Sequence, residues 1–284
     1  MKILKNRIKI GATEPFNILH ITDSHIAVAD ERDDYKKQEL AKAGEKYYGR
    51  YSQKGTLALY YEAVKYGREN CDRIICTGDM FDLNSQKAFD MLKEEVDENN
   101  LIFAVGNHEY RIYGREERED FFYKMKSYTQ IQNCISRNID FSATIINGVN
   151  FIAVDNAHYY FTKTQLELLK VECEKHFPIV LCMHIPLYHK EYFEKVQNGD
   201  TSKTAHICGA PDEVIRDYEE YRFNQQRMNA DTKEFIDFVM QSPDIKLIIA
   251  GHTHESYECQ FDNGLIQLMT DGTFNEIARE IEFV

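Results

Sequence analysis

Five places in this 284-residue sequence set carboxylates, imidazoles and amides where they can bind and activate a ligand. They are Asp23-Ser-His25, Gly78-Asp79-Met-Phe-Asp82, Gly106-Asn107-His108-Glu109, a lone His184, and Gly251-His252-Thr253-His254. Together these clusters hold carboxylates, imidazoles and an amide, a mixed nitrogen and oxygen donor set without thiolate. Such a set suits Mn²⁺, Fe or Zn²⁺ better than Ca²⁺ or Mg²⁺, which prefer oxygen ligands. Each cluster is weak evidence alone. An isolated histidine after a strand is more often a structural histidine than a ligand, and Asp82 reads equally well as a carboxylate at a helix N-terminus. The four multi-residue clusters, leaving out His184, together specify twelve positions. At roughly 5% per position and about 10⁸ ordered placements, coincidence is left with a chance of about 2 × 10⁻⁸.

The elements that must carry these residues follow from the pattern around them. Each cluster directly follows a short apolar run with the length of a buried strand: 16–22, 73–77, 101–105, 179–183 and 246–250. Helical spacing fills intervening segments at 84–97, 163–177 and 231–240. Strands alternating with helices indicate an α/β fold with strands buried on both faces. In such a fold the loops at the carboxyl ends of strands line the functional crevice, so the five clusters should converge. Two further segments read as hairpins, 142–154 turning at Asn147-Gly148 and 256–269 turning at Asp262-Asn263-Gly264, and could add antiparallel strands to a second sheet. Because the clusters run from residue 23 to residue 254, residues 1–284 are expected to form a single domain. Segments 30–54, rich in charge and tyrosine, and 186–230, with little apolar periodicity, break the pattern. Long insertions between rim clusters are lids or substrate walls when they are not solvated loops.

Composition excludes several functions. With 34 Lys and Arg against 47 Asp and Glu the formal net charge is −13, which opposes binding to nucleic acid or an anionic membrane. Any phosphate handled here needs another source of positive charge. No apolar stretch reaches the roughly 18 residues of a membrane span. The N-terminal MKILKNRIKI lacks the apolar core of a signal peptide, and the seven cysteines contain no C-x-x-C pair. A cytoplasmic location is the expectation, with the cysteines packing as small hydrophobes.

At the quoted motifs the sequence resembles the calcineurin-like metallophosphoesterase superfamily, over residues 16 to about 255. The resemblance implies a four-layer αββα sandwich of two mixed sheets with a dinuclear metal site at the strand ends. By position it implies Asp23, His25 and His254 as ligands of one metal, Asn107, His184 and His252 as ligands of the other, and Asp79 as the bridge. The implied cofactors are two divalent or mixed-valence transition metal ions, Mn, Fe or Zn. Two such ions carry +4, and Asp23, Asp79 and a bridging hydroxide carry −3, which leaves the site near +1 and answers the charge problem. The implied chemistry is in-line attack of that hydroxide on a phosphate ester. His108 resembles the family histidine that stabilises the transition state or protonates the leaving oxygen, and Asp82 is expected to orient it.

The sequence also departs from particular branches. Asp82 is followed by Leu83-Asn84, where the protein Ser/Thr phosphatases of the superfamily have Arg-Gly to hold phosphate. Purple acid phosphatases place a ligating tyrosine at the Asp82 position. The expected substrate is a small phosphomonoester or phosphodiester, such as a nucleotide. Candidates for substrate contact are Tyr110, Arg111, Tyr188 and His189, with Arg222 and Arg227 in the long insertion. Glu109 reads as a partner for loop backbone, His20 as a core residue, His176 as a helix-end cation, and Asp155-Asn156 as a turn. Two rival readings stay open at this point: a scaffold that kept the fold but lost catalysis, and a DNA nuclease, which would need a basic groove.

Overall fold

Two mixed β-sheets packed face to face organise the protein in a computed structural model that describes residues 1–52, 54–113 and 121–284. The first sheet runs β1 (Lys2–Ile8), β11 (Ile277–Phe283), β2 (Phe16–Ile21), β3 (Arg73–Cys76) and β4 (Ile102–Phe103) in spatial order. Here β2, β3 and β4 are parallel, and β11 enters antiparallel to β2. The second runs β5 (Phe141–Ile146), β6 (Val149–Val154), β7 (Ile179–Cys182), β8 (Ile245–Ala250), β10 (Ile266–Met269) and β9 (Tyr257–Gln260). Its central four strands are parallel, and the two sequence-predicted hairpins add β5 and β9 antiparallel at its edges. Asn147 and Gly148 make the first hairpin turn at φ 44° and 77°, as such a two-residue turn requires.

The period-2 alternation of a strand decides which layer each side chain joins. Ile18, Phe151, Ala153, Val180, Leu247 and Ile249 point between the sheets and form one buried cluster with Phe16 and Phe283. The alternate residues point outward. Leu19 and Ile21 join Tyr60, Val64 and Leu92 of the helices α2 (Thr56–Asn70) and α3 (Gln86–Lys93), which follow α1 (Tyr35–Tyr48) in the chain. On the other side, Ile152, Leu181 and Ile248 pack with Leu166, Leu169 and Phe235. The result is four layers, helix, sheet, sheet, helix. Each buried branched or aromatic side chain contributes roughly 1.5–3 kcal/mol. The central strands β6 and β7 are buried along their whole length because both of their faces are covered.

The remaining helices are α4 (Phe121–Gln132), α5 (Lys163–Cys173), α6 (Lys190–Gln197), α7 (Asp212–Ile215), α8 (Glu220–Gln226) and α9 (Ala230–Gln241). The 186–230 segment therefore holds three short helices, with Tyr192, Phe193, Ile215 and Tyr218 in a buried cluster against Met269 of β10. Helices this short leave little periodicity to read. The 30–54 segment is largely α1; Gln53 lies outside the described residues. The helix expected over 84–97 starts at Gln86, and its N-cap is Ser85, whose Oγ accepts the Ala88 N–H at 3.0 Å. Asp82 is thus not the cap of α3. Among the described residues no helix is long and apolar enough to cross a membrane.

Candidate metal centre

The carboxyl ends of β2, β3 and β4 in one sheet and of β7 and β8 in the other open on the same rim, and all seven candidate ligands meet there. Asp23, His25 and His254 gather ligand atoms within 4.8 Å of one another, and so do Asp79, His184 and His252. Asp79 Oδ2 links the two groups, at 3.2 Å from His184 Nε2 and 3.8 Å from His25 Nε2. Asn107 Oδ1 lies 3.1 Å from His184 Nε2.

Local backbone strain accompanies this convergence. Asp23, His25, Asp79, His252 and His254 all have left-handed φ, between 46° and 68°. Non-glycine residues there cost roughly 1 kcal/mol each and persist where the surroundings over-determine them. Two glycines give the room that these turns need. A Cβ on Gly106 would run into the Asp79 carboxylate and backbone, and one on Gly251 into Thr22 and the Asp23 carboxylate.

Each aspartate anchors one oxygen and presents the other. Asp23 Oδ2 accepts the His252 N–H at 2.8 Å and the Thr22 hydroxyl at 2.7 Å. Its Oδ1 is buried without a hydrogen bond, 3.2 Å from His254 Nε2. Asp79 Oδ1 accepts the His108 N–H at 2.9 Å, which turns Oδ2 inward. The imidazoles are oriented in the same way. His184 Nδ1 donates to the Thr77 carbonyl at 2.7 Å, so its Nε2 offers a lone pair to the centre. That nitrogen is 3.0 Å from His252 Nδ1, and His25 Nε2 is 3.1 Å from His254 Nε2. Pairs of ring nitrogens facing each other, among carboxylate oxygens, are an acceptor-rich cluster short of protons. That is what a cation requires.

The electrostatics fit the same description. Burial lowers the pKa of His25 to about 4 and holds His252 well below its usual value. Burial raises the Asp23 and Asp79 carboxyls, but the neighbouring imidazoles outweigh it and keep both below the usual range. Neutral imidazole and ionised carboxylate are the ligating forms. His184 is the exception: burial lowers it, but Asp79 raises it to about 10, so a cation there must displace a proton. The donor set and its orientation fit a pair of divalent cations.

His108 stands at the edge of this centre. Its Nδ1 lies 3.0 Å from Asp82 Oδ1 and 3.1 Å from the Asp82 carbonyl, both acceptors, so that nitrogen carries a proton. Its Nε2 is 4.0 Å from Asp79 Oδ2. Burial pulls the ring's pKa down, but Asp79 and Asp82 overcome it and raise the value to about 9. Asp82 sits between His108 and Arg111, whose Nη1 is 3.0 Å from the same Oδ1. His25, Asp82 and His108 also gather within ligand distance. The Arg111 cation on Asp82 opposes a further metal ion there.

A cavity of about 420 Å³ lies over the centre. Asp79, Asn107, His108, His252 and His254 form its floor, and Val196, Lys203, Thr204, His206 and Arg222 of the 186–230 segment form the facing wall. Of the candidate substrate contacts, Arg222 reaches this cavity. Arg111 does not: bound to Asp82, it lines a neighbouring cavity of about 340 Å³ with Tyr47, Tyr48 and Leu83. Tyr110 is fully buried, because its hydroxyl is drawn inward to Asp155. Tyr188 packs on the Phe193 ring, His189 lies against Phe261 ahead of α6, and Arg227 reaches Asp212 Oδ2 at 3.4 Å. All three are spent on local structure, not on the cavity. Glu109 accepts the N–H groups of Asp79, Phe81 and Gly106, and His20 is buried between Thr77 and Thr270. Asp155 accepts the Ala157 N–H in a turn, as its sequence suggested, and also binds Lys124.

Sequence reasoning missed Tyr159 and His206. The Tyr159 hydroxyl is 3.0 Å from His252 Nε2 and 3.0 Å from His206 Nδ1. Neither residue lies in a motif. Their only signal is a left-handed backbone, φ 66° and 55°, which emerges with the fold.

The calcineurin-like phosphoesterase family model matches residues 16–256. Among solved structures, a dimetal phosphatase from Danio rerio superposes with a TM-score of 0.51 at 14% identity, over 92% of this chain and 89% of that one. The calcineurin-like phosphoesterase YfkN from Bacillus subtilis gives a TM-score of 0.47 at 12% identity, over 92% of this chain and 82% of that one. No curated protein sequence matches the chain.

Proposed function

The chain belongs to the calcineurin-like phosphoesterase family, and on that premise we propose that it is a metal-dependent hydrolase of a small phosphomonoester or phosphodiester. The observation that carries this reading is that one cavity borders Asp79 and Asn107, the histidines His252 and His254 of the two ligand groups, and His108. Asp23, His25 and His254 would hold one cation, Asn107, His184 and His252 the other, with Asp79 between them. A bound pair of divalent cations supplies positive charge for phosphoryl oxygens and lowers the pKa of a coordinated water towards neutrality.

The chain's own residues do the rest. His108 presents Nε2 to the cavity and can give its proton to the leaving oxygen, which contributes about 10²–10⁴ in rate for such a group. Asp82 fixes the tautomer from the other side of the ring and stabilises the imidazolium. Residues 1–284 act as one domain in this account, with 186–230 as the wall facing the centre. A net charge of −13 favours a small substrate over nucleic acid.

The test is hydrolysis of phosphomonoesters such as phenyl phosphate, and of the corresponding diesters, with Mn²⁺, Fe²⁺ or Zn²⁺, using Asp79→Asn as control. Metal-dependent turnover that the substitution abolishes is expected. Turnover without metal, or equal turnover in the control, contradicts the mechanism. Metal binding without hydrolysis of any ester would return the scaffold reading.

A further inference from the structure

The wall facing the metal centre carries its own chemistry. Lys203 and Arg222 both line the cavity, whereas Asp79 in the floor is its one carboxylate among the described lining residues. That charge balance is the reverse of the whole protein's, at −13. Lys203 is exposed, and its Nζ donates to the carbonyl of Val196, also in the wall, at 2.6 Å. A carbonyl partner orients the ammonium without neutralising it. The nearest acid in sequence, Asp200, accepts the N–H and hydroxyl of Ser202, and the Lys203 charge is a lesser influence on it. Thr204 and His206 add a hydroxyl and an imidazole beside them. The wall offers no broad apolar face to a base or acyl chain: Val196 and Ala205 are its small apolar members, and Tyr159 is 2% exposed.

If the floor grips the phosphate that is cut, as proposed above, the wall receives what is attached to it. We infer that Lys203 and Arg222 form a second anion site, so that the substrate is a small phosphate ester carrying another anionic group, phosphate or carboxylate, on its leaving part. The pair supplies charge-assisted donors, and Arg222 Nη1, which donates to Gln225 Oε1 at 2.6 Å, is oriented by a neutral amide. The cavity, at about 420 Å³, lies at the small end of the range for ligand pockets, which suits a compact doubly charged molecule. This inference rests on the phosphoesterase reading for the identity of the floor.

The experiment compares phenyl phosphate with 1,4-phenylene bisphosphate, which present the same ester with and without a second anion. The metal-loaded wild type should favour the bisphosphate in kcat/KM by at least about tenfold, beyond the twofold that two equivalent esters give by statistics. Lys203→Met and Arg222→Met should each cut the preference, and together return it to about twofold. No preference in the wild type overturns the inference. So do variants that lower both substrates equally, since the cations then serve the scissile phosphate.

A binding arm, read by calorimetry, uses phenylphosphonate against 1,4-phenylenebisphosphonate, which are not cleaved. Preferential binding of the bisphosphonate, lost in Lys203→Met, supports the site even if no ester is hydrolysed, and in that case the phosphoesterase reading fails alone. Hydrolysis of phenyl phosphate with equal binding of the two phosphonates leaves that reading standing and removes the second site.

Discussion

The hydroxyl of Tyr159 stands 3.0 Å from Nε2 of His252, on the opposite side of the ring from the metal centre. His252 turns its other nitrogen, Nδ1, to within 3.0 Å of His184 Nε2. The contact therefore fixes which nitrogen of His252 is offered inward, and a left-handed tyrosine is held in place to make it. Outer contacts of this kind typically change metal affinity by 10–100-fold. Tyr159→Phe should keep the fold and weaken binding of one of the two cations by about that factor, measured by competition with a chromophoric chelator. Unchanged affinity for both ions would show the contact to be incidental.

Glu109 performs the same service for backbone. Its Oε2 accepts the N–H groups of Asp79 at 2.9 Å and Gly106 at 2.7 Å, and Oε1 accepts that of Phe81 at 3.1 Å. An amide has a single acceptor oxygen, so Glu109→Gln must aim an NH₂ at a buried N–H in either orientation. Loss of about 2–4 kcal/mol in unfolding free energy is expected in a urea titration. A loss below about 0.5 kcal/mol would mean that these loops hold their shape without the carboxylate.

His108 and Asp82 separate catalysis from metal binding. His108→Ala should retain both ions and lower kcat at least about 10²-fold, with Asp82→Asn intermediate. Metal analysis and turnover on the same samples make the comparison. A metal-replete His108→Ala protein with full activity would remove the residue from the mechanism.

Removal of metal should register in stability. Ions held by the folded chain stabilise it by about 2.7 kcal/mol at a hundredfold excess over Kd, and about 2–4 °C of Tm accompanies each kcal/mol in domains approaching this size. Dialysis against a chelator should therefore lower Tm by about 5–10 °C, with recovery on Mn²⁺ or Zn²⁺ but not Ca²⁺. An identical Tm in all three conditions would contradict a site built for such ions.

What could be read in the sequence follows from how its signals arise. Strands β2, β3, β7 and β8 were legible because burial on both faces makes them mostly apolar, without the strict alternation of a half-exposed strand, and the ligands stand directly after them. The Asn147-Gly148 turn was legible because few residues tolerate its backbone. Strand β11 was not singled out: Arg279, Glu280 and Glu282 interrupt its apolar residues, although Ala278, Ile281 and Phe283 are fully buried. Nor did adjacency in sequence mean adjacency in space. Tyr110 lies two residues from His108 yet points to Asp155, whereas Lys203 and His206 reach the cavity from a loop with no motif. Side-chain direction at the rim is set by tertiary packing, which leaves no periodic trace.

The most direct measurement of the central claim is the metal content of the purified chain after loading with Mn²⁺ or Zn²⁺ and gel filtration, for the wild type and Asp79→Asn. Asp79 Oδ2 faces both ligand groups, so two ions per wild-type chain and fewer than one in the variant are expected. A wild type that emerges with no stoichiometric metal, or a variant that still holds two ions, would contradict it.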